Sequence, residues 1–120
     1  MDEPKKMTRI AIGALEDKKA GDIRVIDIRK VSVIADYFII ASGTNSHQIQ
    51  SMADNVEEEL GRAGYSPRHV EGYVNASWVL MDYNDIIIHI FSEESRIFYD
   101  LERIWRDGVD IDTAEFREDQ

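Results

Sequence analysis

Two apolar stretches separated by the dipeptide Asn84-Asp85 constrain the fold more than any other part of the sequence. Residues 78–83 and residues 86–91 are rich in β-branched and aromatic side chains, which favour β-strands. Asn and Asp tolerate the positive φ angles that a two-residue hairpin turn requires. The sequence therefore predicts a β-hairpin in which Trp78 pairs with Phe91.

The side chains of this hairpin divide between two faces, because successive residues of a strand point in opposite directions. One face is almost entirely apolar, as in a protein core. Its residues are Val79, Met81, Tyr83, Ile86, Ile88 and Ile90. The other face, which we call the mixed face, combines aromatic and aliphatic side chains with a carboxylate and an imidazole. It consists of Trp78, Leu80, Asp82, Ile87, His89 and Phe91.

The mixed face is consistent with two different roles. Aromatic side chains next to a few polar groups are typical of protein-binding surfaces, and this interpretation makes the six residues a partner-binding site. In the second interpretation a helix covers the face, and Asp82 and His89 lie at its wet rim. The pattern of the hairpin by itself leaves both interpretations open.

Helical patterns recur in three other parts of the chain. Apolar residues follow helical spacing in residues 5–20, in the segment that Asn45 caps and in the segment that Ser92 caps. The last of these is predicted as one helix that ends at Gly108. Its predicted apolar stripe consists of Ile97, Phe98, Leu101, Ile104 and Trp105.

Strand patterns interleave with these helices. They occupy residues 22–29 and 37–41, and a short edge strand fits residues 68–71. With the hairpin, the segments predict an α/β fold that has a mixed β-sheet of about five strands with helices packed on it. We expect one domain from residue 1 to residue 108. Residues 109–120 are acidic and lack periodicity, so we expect a frayed C-terminal tail there.

Composition excludes several functional classes. Asp and Glu number 24 against 14 Lys and Arg, a formal charge of -10, which argues against direct binding of nucleic acid. The chain has no cysteine, so disulfides, thiolate metal sites and cysteine nucleophiles are excluded. It also lacks the apolar run of about 18 residues that a membrane span requires and any signal-peptide pattern. We therefore expect a cytoplasmic protein.

Catalytic and metal-binding motifs are weak or missing. Residues 42–46 follow a buried strand and precede a helix, a position that suits an anion, but they match no phosphate-binding motif and are explained by a capping turn. A nucleotidyltransferase would also need paired carboxylates on a strand, whereas Asp54 and Glu57 fall on the polar face of a predicted helix. The 3 histidines lie in separate predicted elements. We therefore expect no catalytic residues, no cofactor and no metal.

Several motifs occur in the order that is typical of one known family. They are ADYFIIASGT at residues 35–44, VEG at 70–72, WVLMDY at 78–83, His89, and SRxFYxLExxW at 95–105. With these motifs, residues 7–108 resemble the ribosomal silencing factor family, RsfS, which is also called Iojap-like or YbeB-like.

This resemblance implies both a fold and a function. The implied fold is nucleotidyltransferase-like and has lost the catalytic carboxylates, so the protein would not be an enzyme. The implied function is to bind the large ribosomal subunit through its fourteenth ribosomal protein, to block joining of the small subunit sterically and to repress translation under nutrient limitation. Some members of the family form homodimers.

The resemblance also favours one role for the mixed face. The tryptophan that the family carries in this strand matches Trp78, so we place the contact with the ribosomal protein at Trp78, Leu80, Asp82, Ile87, His89 and Phe91. Trp78 is the expected anchor, and Asp82 and His89 are expected to contribute polar contacts. The alternative is a nucleotide- or small-molecule-binding enzyme on the same fold, which would depend on Gly43 and Thr44 instead.

Overall fold

Six strands form one mixed sheet in the computed structural model, which describes residues 3–117. The strands are β1 Gly21–Asp27, β2 Tyr37–Gly43, β3 His69–Glu71, β4 Trp78–Asp82, β5 Ile86–Ser92 and β6 Val109–Ile111. The helices are α1 Glu3–Asp17, α2 Ser46–Arg62, α3 Glu93–Tyr99, α4 Leu101–Ile104 and α5 Ala114–Arg117. The predicted α/β fold with a mixed sheet is confirmed, although the sheet has six strands where about five were expected.

The hairpin has the predicted register. Trp78 pairs with Phe91, and each successive pair down to Asp82 follows the expected order. Asn84 occupies the turn with φ of 73°, and its backbone N–H donates to Asp82 Oδ1 at 2.8 Å. The two faces of the hairpin therefore point to opposite sides of the sheet, as the alternation of its side chains required.

Strand order places β5 near the centre of the sheet. The order is β3-β4-β5-β2-β1-β6, and β2 and β5 run parallel while all other neighbours are antiparallel. All seven positions of β2 are buried, because this strand has a strand on each side and a packed layer on each face. By contrast, β4 is separated from the edge of the sheet only by the three residues of β3.

A hydrophobic cluster lies on each face of the sheet. The larger cluster joins α1 and α2 to the apolar face of the hairpin, including Val79, Met81, Ile88 and Ile90. The smaller cluster lies on the other side and includes Phe38, Ile87 and Phe91 together with Leu101 of α4. Ile87 and Phe91 of the mixed face therefore belong to this second core, and Trp78 and Leu80 pack against it.

The predicted third helix is wrong in one important respect, because the chain breaks it into two helices at Asp100. Asp100 adopts the left-handed conformation, with φ of 50° and ψ of 53°. Of the predicted apolar stripe only Leu101 is buried, whereas Ile97, Phe98 and Ile104 are largely exposed. The turn at Asp100 therefore leaves apolar side chains in solvent that a continuous helix was expected to bury.

A buried arginine explains the break. The Arg96 guanidinium donates to Glu102 Oε2 at 2.8 Å and 3.1 Å and to Ser42 Oγ at 3.0 Å. In an unbroken helix, residues six apart are separated by about 9 Å along the axis and do not share a face. The left-handed residue Asp100 folds α4 back toward α3, and this brings Glu102 to Arg96.

Replacing Arg96 with methionine is expected to destabilise the domain by about 2 kcal/mol, because Glu102 and Ser42 lose a partner in a poorly hydrated position. Arg103→Met is the matched control, since its ion pair with Asp100 lies at the same break but is largely exposed. The control should change stability by no more than about 0.5 kcal/mol. Urea denaturation measures the free energy of unfolding of both variants. Equal losses of stability would contradict this explanation of the break.

The prediction of a frayed tail is wrong for residues 109–117. Strand β6 pairs with β1, matching Ile111 to Val25, and Phe116 of α5 is buried with its ring edge against Tyr37 at 6.0 Å. The strand has only three residues and α5 buries a single aromatic side chain. Neither is long enough to produce a periodic pattern in this acidic segment. Residues 118–120 lie outside the described part of the chain.

Among the helices of residues 3–117, none is both long and apolar enough to span a membrane.

Candidate protein-docking surface

The six residues of the mixed face share one side of the sheet but lie at two depths. Trp78, Leu80 and Asp82 of β4 are partly exposed. The exposed fractions of Ile87, His89 and Phe91 on β5 are 8%, 4% and 0%. The difference arises because β5 lies at the centre of the sheet and β4 lies near its edge. The prediction of direct partner contact is therefore corrected for Ile87, His89 and Phe91, which form a layer beneath the surface.

Aromatic side chains extend the exposed part of the mixed face onto α3. Trp78 packs against Phe91 at 5.0 Å and against Tyr99 at 4.6 Å between ring centroids. Phe98 then meets Tyr99 edge-on at 5.0 Å and is itself 79% exposed. We define a candidate docking surface, called the docking surface below, by the partly or largely exposed residues of β4 and α3. These are Trp78, Leu80, Asp82, Phe98 and Tyr99.

Sequence reasoning missed Phe98 and Tyr99 as surface residues. Phe98 was assigned to a buried stripe, and Tyr99 was given no role. Phe98 lies three residues before Leu101 and follows the helical spacing, so no local signal indicated that it is exposed. Its exposure follows from the break at Asp100.

Trp78 is held from below by a buried hydrogen bond. Its indole Nε1–H donates to Nδ1 of His89 at 3.1 Å. Because Nδ1 accepts this bond, the neutral imidazole carries its proton on Nε2, and that buried nitrogen has no hydrogen-bond partner within the described residues. Burial lowers the pKa of His89 to about 4, so the ring is neutral at physiological pH.

Asp82 forms the charged end of the surface. Its carboxylate accepts hydrogen bonds from Arg68 at 2.7 Å and from the backbone N–H of Asn84 at 2.8 Å. Burial raises the pKa of Asp82, but these hydrogen bonds and the nearby positive charges outweigh burial and hold the pKa below its usual range. Asp82 is therefore an anion at neutral pH and is already paired with one exposed arginine.

Gly72 positions the start of β4. Its φ is +80°, and a Cβ on this residue would lie 2.1 Å from the carbonyl oxygen of Trp78. Only glycine lets the preceding loop approach the strand so closely without strain. The backbone of Trp78 is thus supported by Gly72, while its side chain is supported by His89.

The turn at residues 42–46 and Asp54 form local hydrogen bonds. Asn45 Oδ1 accepts from the backbone N–H of Gln48 at 2.8 Å and so caps α2, and Gln48 Oε1 accepts from the N–H of Thr44 at 2.7 Å. Asp54 accepts a hydrogen bond from Tyr73. Within residues 3–117, no three His, Cys, Asp or Glu side chains are grouped as metal ligands.

Comparison with known proteins identifies the family of the chain. Residues 1–120 match the model of the RsfS family, described as "Ribosomal silencing factor during starvation". The chain belongs to this family. It is 36% identical over 110 residues to the ribosomal silencing factor RsfS of Bacillus subtilis, covering 90% of this chain and 93% of the relative. The corresponding protein of Zymomonas mobilis is 39% identical over 92% of this chain and 83% of the relative.

The fold of the family member also agrees with a solved structure. A crystal structure of a protein from Chromobacterium violaceum superposes with a TM-score of 0.84 at 33% identity and covers 87% of both chains. The names of the family and of these relatives give a regulatory role and no catalytic activity.

Proposed function

We propose that this protein binds the large ribosomal subunit through its fourteenth ribosomal protein, prevents the small subunit from joining and so represses translation in the cytoplasm when nutrients are limiting. Membership of the ribosomal silencing factor family supports the ribosome as the target. The structural observation that carries the proposal is the exposed aromatic docking surface beside Trp78. Steric exclusion requires no chemistry, since a bound protein that occupies the place of the small subunit is sufficient.

The composition of the docking surface suits a protein partner. Phe98 is 79% exposed although it is large and apolar, and Tyr99, which packs against it, is 42% exposed. Contiguous apolar surface on a small protein is typical of an interaction site. Trp78 and Tyr99 add aromatic anchors that rest on the buried layer of β5, and such anchors at the centre of an interface tend to dominate its binding energy.

Charge supports a basic partner. The chain carries a formal charge of -10, and the acidic residues Glu93 and Glu94 open α3 at the margin of the docking surface. Ribosomal proteins are basic, so the two charges attract each other during encounter, whereas ribosomal RNA repels an acidic surface. Asp82, an anion at the far end of the surface, is placed to add a polar contact to the partner.

The same surface suits a homodimer, which we propose as a second use of it. A second copy that covered Phe98 and Tyr99 would compete with the ribosomal protein for these side chains. Sedimentation velocity should then show a weaker dimer for Phe98→Ser than for the wild type. A dimer of unchanged strength in this variant would place the self-association elsewhere.

Loss of ribosome binding in two surface variants tests the docking proposal. Trp78→Ala is expected to weaken binding to isolated large subunits by at least about 2 kcal/mol, or about 30-fold, because it removes the anchor. Phe98→Ser should weaken binding by about 10-fold while stability changes by no more than about 0.5 kcal/mol, because Phe98 is exposed in the free protein. Co-sedimentation, followed by addition of small subunits, measures both binding and the block to joining.

Val109→Ser is the control for this experiment. Val109 is also an exposed apolar residue, but it lies on β6, at the edge of the sheet opposite to β3 and β4. This variant should bind large subunits and block the joining of small subunits as the wild type does. Failure of the wild type to bind large subunits would overturn the proposed function. Wild-type binding by Trp78→Ala and Phe98→Ser together would move the contact away from the docking surface.

A further inference from the structure

We propose that His89 is a positioning residue for docking, which acts by holding the Trp78 indole in the orientation that the partner meets. This inference rests on the proposed function, because it concerns the same docking surface. His89 was expected from the sequence to touch the partner itself. Its 4% exposure rules out that role in this structure, whereas its hydrogen bond to Trp78 connects it to the surface.

The geometry of the hairpin makes this bond possible. Trp78 pairs with Phe91, and Leu80 pairs with His89, so Trp78 and His89 are diagonal neighbours on one face of the two strands. The indole leans along the strand and places its Nε1–H 3.1 Å from Nδ1 of His89. A diagonal pair of this kind fixes the side-chain direction of the partly exposed residue.

His89 is well placed to act as a rigid support. Its ring lies edge-on to Phe38 at 4.8 Å and is parallel to Phe91 at 6.2 Å, with an angle of 10° between the planes. β5 is an interior strand, so the imidazole cannot move without disturbing the second core. Burial also favours the neutral imidazole, which keeps Nδ1 as an acceptor rather than a donor facing the indole N–H.

A fixed indole benefits binding through entropy. A partly exposed tryptophan that samples several rotamers must be immobilised when a partner covers it, and this weakens the complex. A tryptophan that is already held by His89 has lost that freedom in the free protein. Removing the hydrogen bond is therefore expected to weaken binding by about 3-fold to 10-fold, without removing any group that the partner touches.

Two substitutions of His89 separate this role from simple packing. In His89→Asn the side-chain oxygen lies two bonds from Cβ, as Nδ1 does, and supplies an acceptor to the indole. His89→Leu fills a similar volume without an acceptor. We expect His89→Leu to bind large subunits about 3-fold to 10-fold more weakly than the wild type, and we expect His89→Asn to recover most of that loss.

The indole N–H signal provides a readout that a merely structural role would not move. In a proton–nitrogen correlation spectrum the chain has one indole signal from Trp78 and one from Trp105, and the Trp78→Phe variant assigns them. The Trp78 signal should lie downfield in the wild type and in His89→Asn and should move upfield in His89→Leu. Trp78→Phe deletes the donor, so adding His89→Leu to it should cause no further loss of binding.

The outcomes distinguish failure of the proposed ribosome binding from failure of the positioning role of His89. If the wild type fails to bind large subunits, the proposed function is overturned, while the indole signals still show whether His89 holds Trp78. If His89→Leu shifts the indole signal but binds as the wild type does, the positioning role is overturned and the docking surface stands. Equal losses in His89→Asn and His89→Leu, or additive losses with Trp78→Phe, would also overturn it. Should His89→Leu fail to fold, Trp78→Phe removes the same bond from the exposed side, and unchanged binding by that variant would reject the proposal.

Discussion

Gly72→Ala is expected to destabilise the protein by at least about 3 kcal/mol, because the new Cβ meets backbone that cannot move aside. The Cβ would lie 2.1 Å from the carbonyl oxygen of Trp78, and φ at this position is +80°. Relief of the clash requires the loop to move away from β4 or Trp78 to leave its place in the sheet. Chemical denaturation measures the loss of stability, and binding to large subunits should fall along with it.

Gly64→Ala separates the clash from the effect of backbone conformation. Gly64 also has positive φ, +96°, but nothing lies within 4 Å of the place where its Cβ would be. We expect this variant to lose about 1 kcal/mol, from the strain of a left-handed residue alone. Equal destabilisation by the two substitutions would show that the clash with the Trp78 carbonyl oxygen contributes nothing to the loss of stability in Gly72→Ala.

Acid is expected to destabilise the protein through His89 between about pH 6.5 and pH 4, with a total of about 3 kcal/mol. Burial lowers the pKa of His89 from 6.5 in a model peptide to about 4 in the folded protein. Above pH 6.5 the imidazole is neutral in both states, so its full contribution to stability is present. As the pH falls below 6.5, the unfolded chain binds a proton that the folded chain excludes, and stability is lost until His89 itself titrates near pH 4.

His89→Asn isolates this effect from the other groups that titrate. The substitution leaves every other ionisable side chain of the protein in place. Urea denaturation of both proteins between pH 7 and pH 4 should show a steeper loss for the wild type, so that the stability difference between the proteins changes by about 3 kcal/mol across this range. Parallel pH profiles would mean that His89 is not excluded from protonation in the folded protein.

The hydrogen bond between Trp78 and His89 depends on the protonation state of His89. A neutral His89 accepts from Trp78, whereas a protonated ring would present a second donor to the indole N–H. Because the pKa of His89 is about 4, this bond persists throughout the physiological range. The orientation of Trp78 is therefore expected to be insensitive to ordinary changes in cellular pH.

Much of the local structure was determined by the sequence itself. The register of the hairpin followed from strand alternation and from a turn that tolerates positive φ, and both act over a few residues. The caps of α2 and α3 were likewise predictable: Asn45 accepts from Gln48, and Ser92 accepts from the N–H of Ser95 at 3.1 Å. These features depend on neighbours in sequence, so a single chain is enough to reveal them.

The break at Asp100 depended on contacts that sequence spacing does not encode. The periodic pattern favoured one long helix, but Arg96 finds Ser42 on β2 and Glu102 beyond the break, and these contacts outweigh continuation of the helix. The break exposes Phe98 beside Tyr99 and thereby enlarges the docking surface. Similarly, β6 depends on its antiparallel pairing with β1. Its three residues have too little apolar surface to specify a strand alone.

The depth of each residue on the mixed face was decided by the tertiary structure. The sequence determined that Trp78, Leu80, Asp82, Ile87, His89 and Phe91 share a face. It did not determine that β5 would pair in parallel with β2, which lies more than 40 residues earlier and is joined to it through α2, β3 and β4. That long-range pairing buries one strand of the hairpin and leaves the other near the edge. Exposure is a property of the assembled sheet, because a side chain loses its solvent only when distant parts of the chain cover it.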